Sequence, residues 1–116
     1  SVNKEKRELL DRLKTLAEFH GGSYSEVGDY PAWEYKKDSR LRDTMVNIFE
    51  KMFDKKPEVV AIHAGLECGL LGEKIEGLDA VSIGPNMQDI HTPRERLSIA
   101  STVRVWEWLC KVLETL

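Results

Sequence analysis

The predicted fold is decided by residues 58–84, which read EVVAIHAGLECGLLGEKIEGLDAVSIG. This stretch opens with the apolar run Glu58 to His63 and closes with a second run, Asp79 to Gly84, and both runs are typical of buried strands. Between them, Gly65 to Lys74 predicts a short helix. A strand, a helix and a strand in this order favour a parallel pair joined by a right-handed crossover. The sequence therefore predicts the α/β class.

Outside this stretch, three segments repeat apolar residues with the period of an amphipathic helix. The first has Asn3 as its predicted cap and ends at Gly21-Gly22. The second runs from about Arg40 to Phe53, with Ser39 as its cap. The third runs from near Ser98 to about Glu114.

The last of these helices has apolar residues around much of its circumference, so we expect it to be well buried. Its main stripe comprises Ile99, Val103, Trp106, Cys110 and Leu113, and the arc is widened by Trp108, Leu109 and Val112. Near the other end of the chain, Ser23 to Val27 predicts a short strand. The break that follows it at Gly28-Asp29-Tyr30-Pro31 predicts a boundary.

Composition and charge narrow the class of protein. A chain of 116 residues suits one domain or parts of two, and 41% apolar with 32% charged residues fits a folded globular protein. The net charge of −3 and the dispersed basic residues argue against nucleic acid or membrane partners. No apolar run is long enough for a membrane span, and the N-terminus is not a signal peptide. Cys68 and Cys110 lack zinc-type spacing, which favours a reduced, cytoplasmic chain.

Two segments follow predicted strands, where open α/β sheets place their sites. In the first, residues 63–69, Gly65 could let a ligand approach the backbone closely, but a tight turn that needs a small residue is the commoner explanation. His63 and Glu67 in the same segment are either contacts to a substrate or a satisfied polar pair at a sheet edge. Both interpretations stay open at this point.

The second segment, residues 84–96, contains His91, the sharpest single candidate for chemistry. The loop is stiffened by Pro85 and Pro93, and neutral imidazole is a common zinc ligand. An exposed or hydrogen-bonded loop histidine is the simpler alternative, and no second ligand is recognisable from local spacing. The charged run at residues 94–96 is either solvated or a salt-bridge cluster that anchors the His91 loop.

Three motifs together resemble the closing motifs of the aminoacyl-histidine dipeptidases: HAGLECG at 63–69, VSIGP at 81–85 and HTPRER at 91–96. GDYPAW at 28–33 is similar to that family's motif at the return from the lid to the catalytic domain, with Ala32 where glycine is frequent. The order and approximate spacing agree along essentially the whole chain. The resemblance implies a cytoplasmic metallopeptidase that uses a metal-activated water to hydrolyse dipeptides, including Xaa-His dipeptides such as carnosine.

For the fold, the resemblance implies part of a three-layer α/β zinc-peptidase catalytic domain with a remnant of its inserted lid domain. Residues 1–30 would be the last helix and strand of the lid, and residues 31–116 the C-terminal part of the catalytic domain. Since the chain begins with Ser1, we expect a truncated piece. We expect its full-length parent to be a homodimer. The newly exposed apolar surfaces of the piece would then favour self-association.

For the site, the resemblance assigns His91 as the last zinc ligand, Gly65 as a residue lining the substrate pocket, and His63 and Glu67 as further pocket residues. The resemblance implies that the other ligands of the family's two zinc ions come from residues before Ser1. The general base of the reaction would come from the same region. A single imidazole cannot replace three or four protein ligands, so we expect this piece to be inactive and to bind zinc weakly. The alternative is a non-catalytic domain that uses a decayed peptidase fold for binding or oligomerisation.

Overall fold

The computed structural model describes residues 2–61 and 67–116, which contain four helices and one two-stranded sheet. In chain order these elements are α1 (Val2–Phe19), α2 (Arg40–Phe53), α3 (Glu67–Lys74), β1 (Met87–Gln88), β2 (Arg96–Leu97) and α4 (Ile99–Leu113). None of the helices in these residues combines the length and apolarity needed to cross a bilayer.

The chain divides into two compact units. Apart from the undescribed residues, the first unit comprises Ser1–Lys36 and Ile62–Leu78 and so contains α1 and α3. The second comprises Lys37–Ala61 and Asp79–Leu116 and contains α2, the β1–β2 hairpin and α4. The division into lid and catalytic domains at residue 30 concerns a longer enzyme and stays a prediction.

The four predicted helices are confirmed, because their signals are local to each segment. Ser39 caps α2 by accepting a hydrogen bond from the Arg42 N–H at 3.0 Å. Gly21 lies just past the end of α1 with a φ of 75°, a left-handed conformation that glycine adopts without strain. Asn3 is not the cap of α1, since it lies within that helix and instead accepts a hydrogen bond from the Ala32 N–H at 2.8 Å.

The predicted strands are the main error. Residues 23–27, 58–61 and 79–84 are not helical, but they belong to no sheet in the described part of the chain. The sheet found there is an antiparallel hairpin in the predicted loop, with Met87 opposite Leu97 and Gln88 opposite Arg96. A strand needs a neighbour to pair with its backbone N–H and C=O groups, and no described segment supplies one. The described chain is therefore mostly helical, and the three-layer α/β arrangement is not confirmed.

Residues 81–84 nevertheless keep the alternation of a strand. Val81 and Ile83 are partly buried and pack against the core, while Ser82 between them and Gly84 after them are exposed. This is the period of two expected when an extended chain lies on an apolar surface. The hydrogen-bonded ladder of the predicted strand is absent from the described residues, so the strand itself is not confirmed.

The core of the second unit lies between α2 and α4. Its buried apolar residues are Met45 and Ile48 from α2, with Trp108 and Val112 from α4. The Trp108 indole N–H donates a hydrogen bond to the carbonyl oxygen of Met45 at 3.0 Å. The Phe49 ring meets the Trp108 ring edge-to-face, with 5.0 Å between their centroids.

The opposite side of α4 corrects the expectation that this helix is well buried. Ile99 is 80% exposed and Trp106 is 65% exposed, and Val103 and Leu113 on the same stripe are also exposed. The buried face is the one that carries Ser101, Trp108 and Val112. The spacing of apolar residues along a helix does not show which of two apolar faces packs against another element. In α4, only the buried face packs on α2.

The first unit is held together largely by polar contacts. In α1 no described residue is buried, and Lys6 and Arg7 both bind the Asp29 carboxylate. The hydrogen bond from Lys6, together with the Arg7 charge, holds the pKa of Asp29 below its ordinary value, although partial desolvation opposes the shift. In α3, Gly69 is buried against the backbone of Pro31.

Two glycines of α3 give a matched test of the Gly69 contact. A Cβ at Gly69 would lie 2.8 Å from the Pro31 carbonyl oxygen, whereas one at Gly72 would meet nothing within 4 Å. We expect Gly69→Ala to lower the free energy of unfolding by about 1–3 kcal/mol through overpacking. Gly72→Ala should raise it by about 0.5–1 kcal/mol through helix propensity. Equal stabilities of the two variants in urea denaturation would contradict the close approach.

The two tryptophans of α4 test the packing of the second unit. Trp108→Phe removes the hydrogen bond to Met45 and leaves a small cavity, so we expect a loss of about 2 kcal/mol in the free energy of unfolding. Trp106→Phe, on the exposed face, should change it by no more than about 0.5 kcal/mol. Denaturation monitored by circular dichroism measures both, and a larger effect at Trp106 would reverse the assignment of the buried face.

Candidate functional site

The predicted site residues are distributed unevenly over the described structure. His63 and Gly65 lie outside the described residues, and their roles stay predictions. Glu67 is exposed and is the first residue of α3, in the first unit. A carboxylate in the first turn of a helix is favourable because it complements the helix dipole. Glu67 therefore has a structural explanation at this position, and its role in a pocket stays a prediction.

His91 lies in the loop of the β1–β2 hairpin, which is built from two consecutive turns. The Thr92 N–H donates to the carbonyl oxygen of Asp89 at 3.2 Å, and the Glu95 N–H donates to that of Thr92 at 3.1 Å. Pro93 is the second residue of the second turn, where its fixed φ is favoured. The proline that made this loop appear stiff in the sequence is thus part of its turn geometry.

The backbone of His91 is in an unusual conformation. Its φ is 63°, and it occupies the third position of the turn that starts at Asp89. A positive φ at that position, without one at Ile90, marks a type II turn, which normally places glycine or asparagine there. The left-handed conformation costs an L-residue about 1–2 kcal/mol relative to glycine. Such an outlier supports a functional hypothesis for the side chain that is kept there.

The charged run after His91 anchors this loop, one of the two alternatives left open by the sequence. The Glu95 carboxylate accepts a hydrogen bond from the His91 backbone N–H at 2.8 Å. Arg96 forms an ion pair with Asp89 at 3.1 Å across the base of the loop. The sequence offered no means of assigning Asp89 to this cluster, because its pairing with Arg96 depends on the hairpin register.

All residues of this loop are exposed, and His91 bonds to Glu95 through its backbone N–H. The side chain is therefore not in the interior of the second unit. An imidazole at the tip of a hairpin, with its backbone fixed from both sides, can act as a ligand or as a proton acceptor. The hairpin thus presents one imidazole that can serve in either role.

The described residues do not fit a complete zinc site. Among residues 2–61 and 67–116, no group of three or more His, Cys, Asp or Glu side chains could hold a metal ion. Catalytic zinc sites use three protein ligands and structural sites four, so His91 by itself is too few. Cys68 and Cys110 are free thiols of intermediate burial, one in each unit.

Two depressions among the described residues of the first unit do not add a ligand site. One, of about 330 Å³, is lined by Lys6, Arg7, Asp29 and Glu73 among others. The charges of Lys6 and Arg7 are already used by Asp29. A second depression, near Leu16 and Phe19, is apolar and open. Neither includes Glu67.

With this geometry described, two similarities to known proteins become informative. The chain is 31% identical over 113 residues to the cytosol non-specific dipeptidase of Escherichia coli (strain K12), covering 97% of this chain and 23% of that protein. It also matches the crystal structure of aminoacylhistidine dipeptidase from Vibrio alginolyticus, with a TM-score of 0.78 and 31% identity, over 97% of this chain and 23% of that one. No protein-family model matches the chain.

The resemblance to the aminoacyl-histidine dipeptidases is therefore confirmed, and the described fold matches a segment of one such enzyme. The chain spans less than a quarter of the length of either relative. The activities in their names belong to those complete proteins, and the roles of His91, Glu67, His63 and Gly65 stay predictions.

Proposed function

We propose that this chain functions as part of a metallo-dipeptidase, a hydrolase of dipeptides, to whose metal centre His91 contributes an imidazole. One observation carries the proposal: His91 is exposed and holds a φ of 63° at a turn position that favours glycine. A residue that served only the turn would be replaced by glycine without loss. The similarity to two dipeptidases over 97% of the chain supports the same reaction class.

The rest of the catalytic centre, in this proposal, comes from polypeptide outside these 116 residues. The full-length enzyme would hold two zinc ions, with further ligands and a general-base carboxylate supplied by that polypeptide. Within this chain, Gly65, His63 and Glu67 would line the substrate pocket. The isolated chain would be inactive, because a single imidazole does not make a zinc site.

The proposed substrates are dipeptides, including Xaa-His dipeptides such as carnosine. The two relatives support this class, one being a non-specific dipeptidase and the other an aminoacylhistidine dipeptidase. Because the E. coli relative is a cytosol enzyme, we propose the cytoplasm as the location. The full-length protein would be a homodimer, and the exposed stripe of α4 would favour self-association of the isolated chain.

The competing function is a non-catalytic binding or oligomerisation domain with a decayed peptidase fold. The exposed apolar face of α4 would suit such a domain. The strained His91 favours the enzyme, since a scaffold gains nothing from an imidazole at a glycine position. The two hypotheses differ in the preceding polypeptide, where the enzyme requires a His-x-Asp motif and a Glu-Glu pair.

The first experiment removes the imidazole from the full-length protein. His91→Ala should lower the dipeptidase kcat by more than about 100-fold, since even the residues that support a metal ligand are worth about 10–100-fold. The matched control is His20→Ala, which removes the exposed histidine that follows α1 and should leave the rate unchanged. Turnover is measured with carnosine and with a dipeptide lacking histidine. Full activity of a folded His91→Ala enzyme would exclude His91 from the centre, and an inactive wild-type protein would favour the non-catalytic domain.

The second experiment titrates the 116-residue chain with zinc by calorimetry. We expect no nanomolar binding, because the described residues contain no cluster of three ligands. The His91→Ala chain is the control for whatever weak binding occurs. Nanomolar affinity in the wild-type chain would mean that this segment carries a zinc site of its own.

A further inference from the structure

We infer that Glu95 is the positioning residue for His91: its carboxylate fixes the His91 backbone in the left-handed conformation and thereby sets the direction of the imidazole. The functional consequence rests on the proposed role of His91 in the dipeptidase centre. The structural part concerns two residues of one loop and is independent of that role.

The turn itself leaves the His91 amide without a backbone partner. Its closing hydrogen bond joins the Thr92 N–H to the Asp89 carbonyl oxygen, so the N–H of the third residue points away from the turn. Glu95 Oε2 accepts that N–H at 2.8 Å. A carboxylate acceptor makes this a charge-assisted hydrogen bond, which is stronger than a neutral one.

The second turn brings the carboxylate to this place. The Glu95 N–H donates to the Thr92 carbonyl oxygen at 3.1 Å, which folds the chain back after Pro93 and returns Glu95 to the first turn. The side chain then needs to span only the gap between the two turns. Pro93 favours this second turn before any tertiary contact forms, because its φ is already fixed.

The other polar contacts of the loop do not act on His91 directly. Arg96 binds the Asp89 carboxylate, and the Thr92 hydroxyl donates to the Asp89 carbonyl oxygen at 2.7 Å. In the described part of the chain, the His91 backbone N–H donates to Glu95. The Asp89 contacts close the base of the loop, whereas Glu95 holds the strained residue itself.

The hydrogen bond from His91 to Glu95 matters because the His91 backbone is strained. A non-glycine residue with positive φ relaxes toward negative φ when nothing opposes it. Rotation about the N–Cα bond of His91 would swing the Cα–Cβ bond and carry the ring to a different side of the hairpin. Catalytic groups have to be held within about 0.5 Å of their productive position, so this change would remove the imidazole from use.

The test compares three variants of the 116-residue chain by NMR. Glu95→Ala should move the His91 φ out of the positive range, read from the strength of the intraresidue HN–Hα NOE, and raise its amide exchange rate by about fivefold or more. Glu95→Gln should retain the wild-type NOE, because its side-chain carbonyl can accept the same N–H. Arg94→Ala, in the same loop, is the control and should change neither quantity. The Trp108 indole resonance reports that each variant is folded.

A positive φ at His91 in Glu95→Ala would overturn the inference, and so would failure of Glu95→Gln to restore it. In the full-length enzyme, Glu95→Ala should lower kcat with little change in KM, and Glu95→Gln should recover most of the loss. A Glu95→Ala enzyme with full kcat, where His91→Ala is inactive, would also overturn it. If the NMR results hold but His91→Ala is fully active, the proposed function fails and the structural assignment of Glu95 stands.

Discussion

The second unit depends on the contact between α2 and α4, where the Trp108 indole bonds to the Met45 carbonyl oxygen inside an apolar environment. Four apolar side chains are buried there, and each contributes about 1.5–3 kcal/mol. A core of this size leaves little stability in reserve, so the orientation of α4 depends on it. The hydrogen bond adds direction to the apolar contact, because it fixes which turn of α2 faces the indole.

The contact between α2 and α4 also determines the position of the hairpin, because β2 leads directly into α4. Ser98, the residue between them, caps the helix and donates its N–H to the Asn86 carbonyl oxygen at 3.0 Å. The buried hydroxyl of Ser101 accepts the Asn86 N–H at 2.9 Å. Both ends of the hairpin are therefore attached to the first turn of α4. The position of His91 follows from the core through α4 and the hairpin base, while its local conformation follows from Glu95.

The sequence correctly predicted the structural features that depend on one segment of chain. It failed for the features that depend on contacts between distant segments. Helix α2 was correct because its cap Ser39 and its apolar period lie within the segment. The strand at 79–84 was wrong as a sheet member, although Val81 and Ile83 pack against the core. For the site, Pro93 indicated an ordered loop around His91. The positive φ was not predictable, since type II turns usually place glycine at that position.

The two errors in the second unit have one physical cause. Extended segments without ladder partners and a helix with an exposed apolar stripe both present surface that normally lies against other protein. Val59 and Val60, in a segment predicted as a buried strand, are 50% and 64% exposed. Segments with the apolar periodicity of buried elements are expected to pack against other protein. The relatives are more than four times longer than the matched segment and contain additional polypeptide that could cover such surfaces. The sequence thus carries patterns of burial that the described residues satisfy only in part.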